Sequence, residues 1–392
     1  MHSFKTNHIS KHKLSLSPFL NRTLSFIKNR SNLHGQGTSE KEQILDKKFL
    51  KSLPKIELHC HVDGSLPLET IKKFSQRCGI SLPKDPQLLK ERTSVTSKCK
   101  TLFECFQLFN LQIDLLQTKT NIEEGVLSIL EKASEENVKY IELRFAPQLH
   151  LKEGLTISKV LESAVKGFKR GKSELGIEGG IIVGALGDLS EQLAIDLFQS
   201  SAPFLNKAEE GGVVGVDLCR VINQYHNFGT AFKIARQLGY PTTIHTGEIG
   251  SPEFIATSLE QLYANRIGHG VHCIKDEQII ETLVKKQIPL EVCMTSNVQS
   301  NIYFRGGFHS YQSHPVRKLL DHNIKVTINT DNRTISDTTL TREFHLLNKY
   351  HHFGIVQFEK VFSNALDSIF APPHVKQKLQ PFLKEYQSLT TN

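Results

Sequence analysis

The segment Glu57-Leu-His-Cys-His-Val-Asp-Gly64 places two histidines two residues apart. On an extended chain, side chains at i and i+2 share a face, so His59 and His61 can hold one metal ion from the end of a strand. Alone, such a pair says little. Three more metal-competent residues close other apolar runs: His245 in Thr-Ile-His-Thr-Gly-Glu248, His269 in Ile-Gly-His-Gly270 and Asp331 in Thr-Ile-Asn-Thr-Asp331. Imidazoles and a carboxylate make a ligand set for zinc. A divalent cation in such a set lowers the pKa of water from about 15.7 to about 7 and supplies hydroxide at neutral pH. Glu248 follows His245 by three residues, near the metal but free to face a substrate. A carboxyl there, if its pKa is raised, can protonate a ring nitrogen as hydroxide adds to the adjacent carbon. His269, where it is not itself a ligand, can orient or deprotonate the attacking water. These parts suit hydrolysis at an amidine-like carbon, with ammonia leaving.

Residues so far apart in sequence need a frame that gathers them. Eight apolar, mostly β-branched runs read as buried strands: 55–59, 140–144, 180–185, 213–219, 241–245, 266–269, 289–293 and 324–331. Helical stretches at 190–205, 230–238, 252–263, 276–285 and 314–321 separate several of them, and residues 338–388 read as a helical tail. Strands buried on both faces and alternating with helices imply a parallel sheet. Eight such units suit a (β/α)₈ TIM barrel better than an open, doubly wound sheet. The candidates then close strands one, five, six and eight, whose C-terminal ends converge on one mouth. Residues 66–139, between the first two strands, read as a helical insertion after the first strand. Its stretch 101–116 carries Phe103, Phe106 and Phe109 at helical spacing, as core packing or as an apolar lid.

The 392 residues carry a formal charge of +8, which by itself would suggest nucleic acid or an anionic surface as a partner. Residues 1–39 hold six basic and no acidic residues, leaving 42 basic and 40 acidic groups in the remaining chain. The body is therefore nearly neutral, and neither a nucleic-acid nor a membrane partner is expected. Residues 1–45 read as a basic, disordered extension and 46–392 as the metal-dependent (β/α)₈ barrel. The extension is a transit peptide, a disordered tail or a product of an upstream start codon. No apolar run approaches the roughly 18 residues of a membrane span. The seven cysteines form no CxxC pair, so reduced thiols in a cytoplasmic protein are expected, or an organelle if the extension is cleaved.

The motifs ELHCHVDGS, TIHTGE, RIGHGVH, LEVCMTSN and HPVRKLL…VTINTD occur in an order and spacing that resembles the adenosine deaminase family of metal-dependent hydrolases. The resemblance runs from about Leu53 to about Phe370. It implies a (β/α)₈ fold and one Zn²⁺ per chain, held by His59, His61, His245 and Asp331. It implies Glu248 as the acid that protonates purine N1 and His269 as the base and water-positioning residue. It also implies a purine nucleoside as substrate, contacted by His61, Asp63 (at a ribose hydroxyl) and Asn332. The reaction implied converts adenosine or deoxyadenosine to the inosine form and ammonia. No lysine closes the fourth strand, where binuclear relatives carry a bridging carbamate, and this favours a single metal. Oligomeric state is left open.

Two departures bear on the substrate. The family usually carries a second Asp where this chain has Asn332; an amide always has donors for purine N7. The fourth strand usually ends Asp-Leu-Ala-Gly, whereas here it reads Asp217-Leu-Cys-Arg220. Arg220 either turns to solvent or pairs with an acid such as Asp217, or it reshapes the pocket for a phosphorylated or otherwise modified adenine.

Overall fold

The computed structural model describes residues 44–391, apart from 97–98, 100–101, 206–210, 221–222 and 305–307. The basic extension lies almost wholly outside the described residues. The eight apolar runs form strands β1 (Lys55–His61), β2 (Val138–Phe145), β3 (Glu178–Leu186), β4 (Val213–Cys219), β5 (Thr242–Thr246), β6 (Arg266–His269), β7 (Leu290–Val292) and β8 (Val326–Ile328). They hydrogen-bond in sequence order, and every neighbouring pair is parallel. Parallel neighbours need a crossover, and helices such as Ile157–Leu175, Glu191–Ser201, Gly229–Gln237, Glu253–Glu260 and Glu277–Lys286 supply it. One apolar core runs through the strands and these helices. The architecture is the expected (β/α)₈ barrel. No described helix is long and apolar enough to cross a membrane.

The seam between β8 and β1 differs from expectation. The run 324–331 reads as one strand, but the ladder ends at Ile328. Polar groups of the next residues then turn into the seam. The Asn329 Oδ1 accepts the Leu58 N–H at 2.7 Å, and the Thr330 N–H donates to Glu57 Oε1 at 3.1 Å. Asp331 takes a left-handed backbone (φ +61°) and bridges β1. Its N–H reaches His59 O at 3.0 Å, and its carbonyl accepts the His61 N–H at 2.7 Å. Closing the barrel therefore also fixes Asp331 beside both histidines. Asn329→Ala strands the buried Leu58 N–H, so urea titration should show a stability loss of about 1–3 kcal/mol.

The insertion after β1 holds helices Leu68–Cys78, Pro86–Thr93 and Leu102–Leu115 before the barrel helix Lys119–Glu135. Cys105, Leu108, Leu111 and Leu115 of the third helix are buried, which agrees with core packing. Phe109 is half-buried; the side chains of Phe103 and Phe106 lie outside the described residues. Gln112 Oε1 accepts the Leu66 N–H at 2.8 Å, tying this helix to the loop that leaves β1.

Candidate active site

The strand ends bring the six proposed metal and catalytic residues to one mouth. One ligand atom each from His59, His245, His269 and Asp331 lies within 4.8 Å of the others. His61 belongs with them: its Nε2 stands 3.1 Å from His245 Nε2 and 3.3 Å from Asp331 Oδ1. His59 Nε2 is also 3.3 Å from that carboxylate oxygen. His59 is fully buried, and its Nε2 has no hydrogen-bond partner. A buried lone pair left unmatched is costly; here three further imidazoles, those of His61, His245 and His269, and a carboxylate surround it. This donor set fits a divalent cation.

Which nitrogen each histidine offers is set one layer deeper. His59 Nδ1 lies 2.9 Å from Glu291 Oε2, and His245 Nδ1 lies 2.9 Å from Asp217 Oδ2. Carboxylates at both Nδ1 atoms turn both Nε2 atoms toward the cluster. Burial opposes charge on His245, but Asp217 outweighs it and holds the imidazole pKa well above its ordinary value. Burial likewise favours neutral Asp217 and Glu291. For Asp217 the His245 and Arg144 charges outweigh it, and for Glu291 those of Arg144 and Arg266, so both carboxyls titrate well below the usual range. The fully buried Arg144 joins the two, with Nη1 at 2.8 Å from Asp217 and Nη2 at 2.8 Å from Glu291.

Three site residues are oriented by one helix, Met294–Phe304, which the strand–helix reading of the sequence does not identify. Ser296 donates to Asp331 Oδ2 at 2.6 Å, and Ser300 donates to Glu248 Oε1 at 2.6 Å. Positions four apart share a helix face, so both hydroxyls look into the mouth. The Asn297 amide nitrogen is 3.1 Å from His269 Nδ1, and its oxygen is 3.3 Å from His314 Nε2. His269 is thus an acceptor at Nδ1 and carries its proton on Nε2, 3.6 Å from Glu248 Oε2. Burial lowers the His269 pKa to about 4, against the raising effect of Glu248, and keeps the ring neutral near pH 7.

Asp63, expected at the substrate, is buried, and its Oδ1 has no hydrogen-bond partner, with His61 Nδ1 4.0 Å away. Burial pushes its pKa up to about 7. Asn332 Oδ1 is a second buried acceptor without a partner. Gly64 makes room for this amide, since a Cβ there would lie 2.0 Å from Asn332 Oδ1. Gly64→Ala must displace Asn332. With a 1 Å misplacement able to cost on the order of 100-fold, kcat/KM should fall about 10- to 100-fold with metal content unchanged.

Arg220 pairs with Asp188, not with Asp217: its Nη2 lies 2.6 Å from Asp188 Oδ2. Asp217 is already held by His245 and Arg144. Arg220 keeps φ at +59°, a conformation that costs a residue with a Cβ roughly 1–2 kcal/mol.

Comparison with known proteins agrees with this geometry. The family profile described as adenosine deaminase matches residues 54–386. An adenosine deaminase of Clostridium kluyveri is 39% identical over 344 residues, covering 87% of this chain and 95% of its own length. The adenine deaminase of Arthrobacter aurescens superposes with a TM-score of 0.77 at 25% identity, over 86% of this chain and 100% of that one. A zinc-bound amidohydrolase of Burkholderia ambifaria shares the fold, with a TM-score of 0.78 at 20% identity over 92% of this chain and 96% of its own. With a matching profile along most of its length and a relative at 39% identity, the chain belongs to the adenosine deaminase family of metal-dependent hydrolytic deaminases.

Proposed function

We propose that this protein is a zinc-dependent hydrolase that deaminates adenosine and deoxyadenosine to inosine or deoxyinosine and ammonia. The observation that carries the proposal is the buried, unpartnered His59 Nε2 among imidazole and carboxylate donors, with the Glu248 carboxyl beside it. His59, His61, His245 and Asp331 would hold one zinc ion, whose contribution is to make water a competent nucleophile at neutral pH. His269 is left outside this set because Asn297 and Glu248 flank its two nitrogens.

The chain's own groups supply the remaining steps. Neutral His269, protonated on Nε2, orients the attacking water toward purine C6 by donating to it; with Nδ1 accepting from Asn297, it has no free lone pair for the base role that the resemblance implies. The Ser300 hydroxyl holds Glu248 Oε1, which leaves Oε2 to carry the proton given to purine N1 as C6 becomes tetrahedral. The C6 hydroxyl then gives up its proton as the carbonyl forms, the C6 amino group takes that proton, and the C6–N bond breaks to release ammonia; the proton first lost by the attacking water restores the Glu248 acid. Asp63 Oδ1 accepts from a ribose hydroxyl, His61 borders the same pocket, and the Asn332 amide donates to N7. The seven free cysteines suit a reducing compartment such as the cytoplasm.

The second reading, deamination of adenine or another aminopurine, is favoured by the likeness to the Arthrobacter enzyme. A panel of adenosine, deoxyadenosine, adenine and adenosine 5′-phosphate on metal-loaded protein separates the two. The highest kcat/KM is expected for the nucleosides. A preference for adenine supports the second reading, and turnover of none contradicts both.

A further inference from the structure

The motif His314-Pro-Val-Arg-Lys-Leu-Leu320 supplies no metal or substrate contact among those described above. Its histidine is nevertheless buried and held in one direction. The Val316 N–H donates to His314 Nδ1 at 3.2 Å. Val316 opens the helix Val316–Asp321. Pro315 before it has no N–H, so this amide is the first donor the helix offers. A backbone N–H can only donate. Burial, with the charge His351 can carry, holds the His314 pKa well below its ordinary value. The ring is therefore neutral, and its one proton sits on Nε2. That nitrogen stands 3.3 Å from Asn297 Oδ1. With the amide oxygen drawn to His314, the amide nitrogen is left for His269 Nδ1, 3.1 Å away. His269 then accepts at Nδ1 and carries its proton on Nε2, 3.6 Å from Glu248 Oε2. An amide turned the other way would set N–H against N–H at His314 and lone pair against lone pair at His269. All three side chains are buried, where a mismatched polar pair is costly.

We propose that His314 and Asn297 are positioning residues for the deamination, passing the direction of the Val316 N–H through two side chains so that His269 Nε2 is a standing donor to the attacking water. What that donor does rests on the deaminase reading given above; the tautomer itself does not. The relay starts on a helix whose Val316 and Leu319 are buried in the apolar core. Its direction is therefore set by the fold before any substrate arrives. Neither His314 nor Val316 touches the mouth, and their effect reaches it only through Asn297.

Nitrogen-15 NMR of zinc-loaded protein with labelled histidine reads which ring nitrogens carry protons, with the two rings assigned from the spectra of His269→Gln and His314→Gln. Both rings should be protonated on Nε2 and bare at Nδ1. A proton on Nδ1 of either ring overturns the proposal, whatever the protein turns over. The expected tautomers without turnover of any purine would defeat the deaminase reading alone. In kinetics, His314→Leu leaves the amide free to turn and should lower kcat for adenosine about 10- to 100-fold with KM within about threefold, the usual cost of losing an outer partner of a site histidine. His314→Gln puts an amide N–H where Nε2 stood and should recover most of that loss. Asn297→Asp, which can only accept, should draw the proton onto His269 Nδ1 and lower kcat at least as far. Equal rates in His314→Leu and His314→Gln, or a lowered melting temperature with kcat unchanged, contradict the proposal. Should His314→Leu not fold, the wild-type spectrum and Asn297→Asp still decide.

Discussion

Glu248→Gln should slow adenosine deamination by about 10²- to 10⁴-fold, the usual contribution of a positioned acid, with bound metal and melting temperature unchanged. The substitution keeps the shape of the side chain and leaves an acceptor for the Ser300 hydroxyl, which lies 2.6 Å from Oε1. What it removes is an acidic proton at the second oxygen. Glu248 Oε1 accepts from Ser300 and its Oε2 faces His269 Nε2 at 3.6 Å, so neither oxygen is assigned to the metal and zinc content should not follow the loss of rate. Metal analysis beside steady-state kinetics reads both quantities. A variant that retains its rate contradicts the assignment of Glu248 as the acid.

Glu291→Ala should be the most damaging single change outside the mouth. Glu291 is fully buried and accepts from four groups: His59 Nδ1 at 2.9 Å, Arg144 Nη2 at 2.8 Å, Arg266 Nε at 2.7 Å and Thr243 Oγ1 at 2.9 Å. Removing one partner of a buried ion pair costs roughly 3–5 kcal/mol, because the remaining charge keeps its desolvation penalty. Here two guanidiniums lose a partner together, although Arg144 keeps Asp217 and Arg266 keeps Glu142. His59 also loses the acceptor that fixes its ring, and losses of this kind weaken metal binding by about 10- to 100-fold. Denaturant unfolding and zinc competition with a chromophoric chelator measure the two effects separately. Glu291→Gln, which retains an acceptor for His59, should recover part of the metal affinity but little of the stability. Wild-type stability in Glu291→Ala would contradict the role given to this buried network.

The strands were legible because full burial writes itself as short β-branched runs. Their last residues were legible because His and Asp are conspicuous at the ends of such runs. The supporting layer was harder to read. Arg144, Asp217 and Glu291 sit inside apolar strands, and a lone charge there carries no sign of its partner, which comes from two or three strands away. The charges were themselves the available signal, since a buried strand tolerates them only when paired. The helix Met294–Phe304 escaped notice because Thr-Ser-Asn after a strand resembles a turn, and only the fold shows Ser296, Asn297 and Ser300 reaching three site residues. The short β8 ladder was hidden for a similar reason: Asn329 and Thr330 keep the β pattern of the run while their polar groups serve the seam. Arg220 was recognisable as a departure, but its partner Asp188 lies in a loop from another strand.

The most direct measurement follows adenosine loss at its purine absorbance band with protein whose zinc content is known. The protein as purified, after stripping by a chelator and after reloading with zinc, should give activity that scales with zinc and saturates at about one ion per chain, the number expected of a single tetrahedral site. Full activity in the stripped protein, or no deamination at one zinc per chain, would contradict a metal-dependent adenosine deaminase built on His59, His61, His245, Asp331 and Glu248.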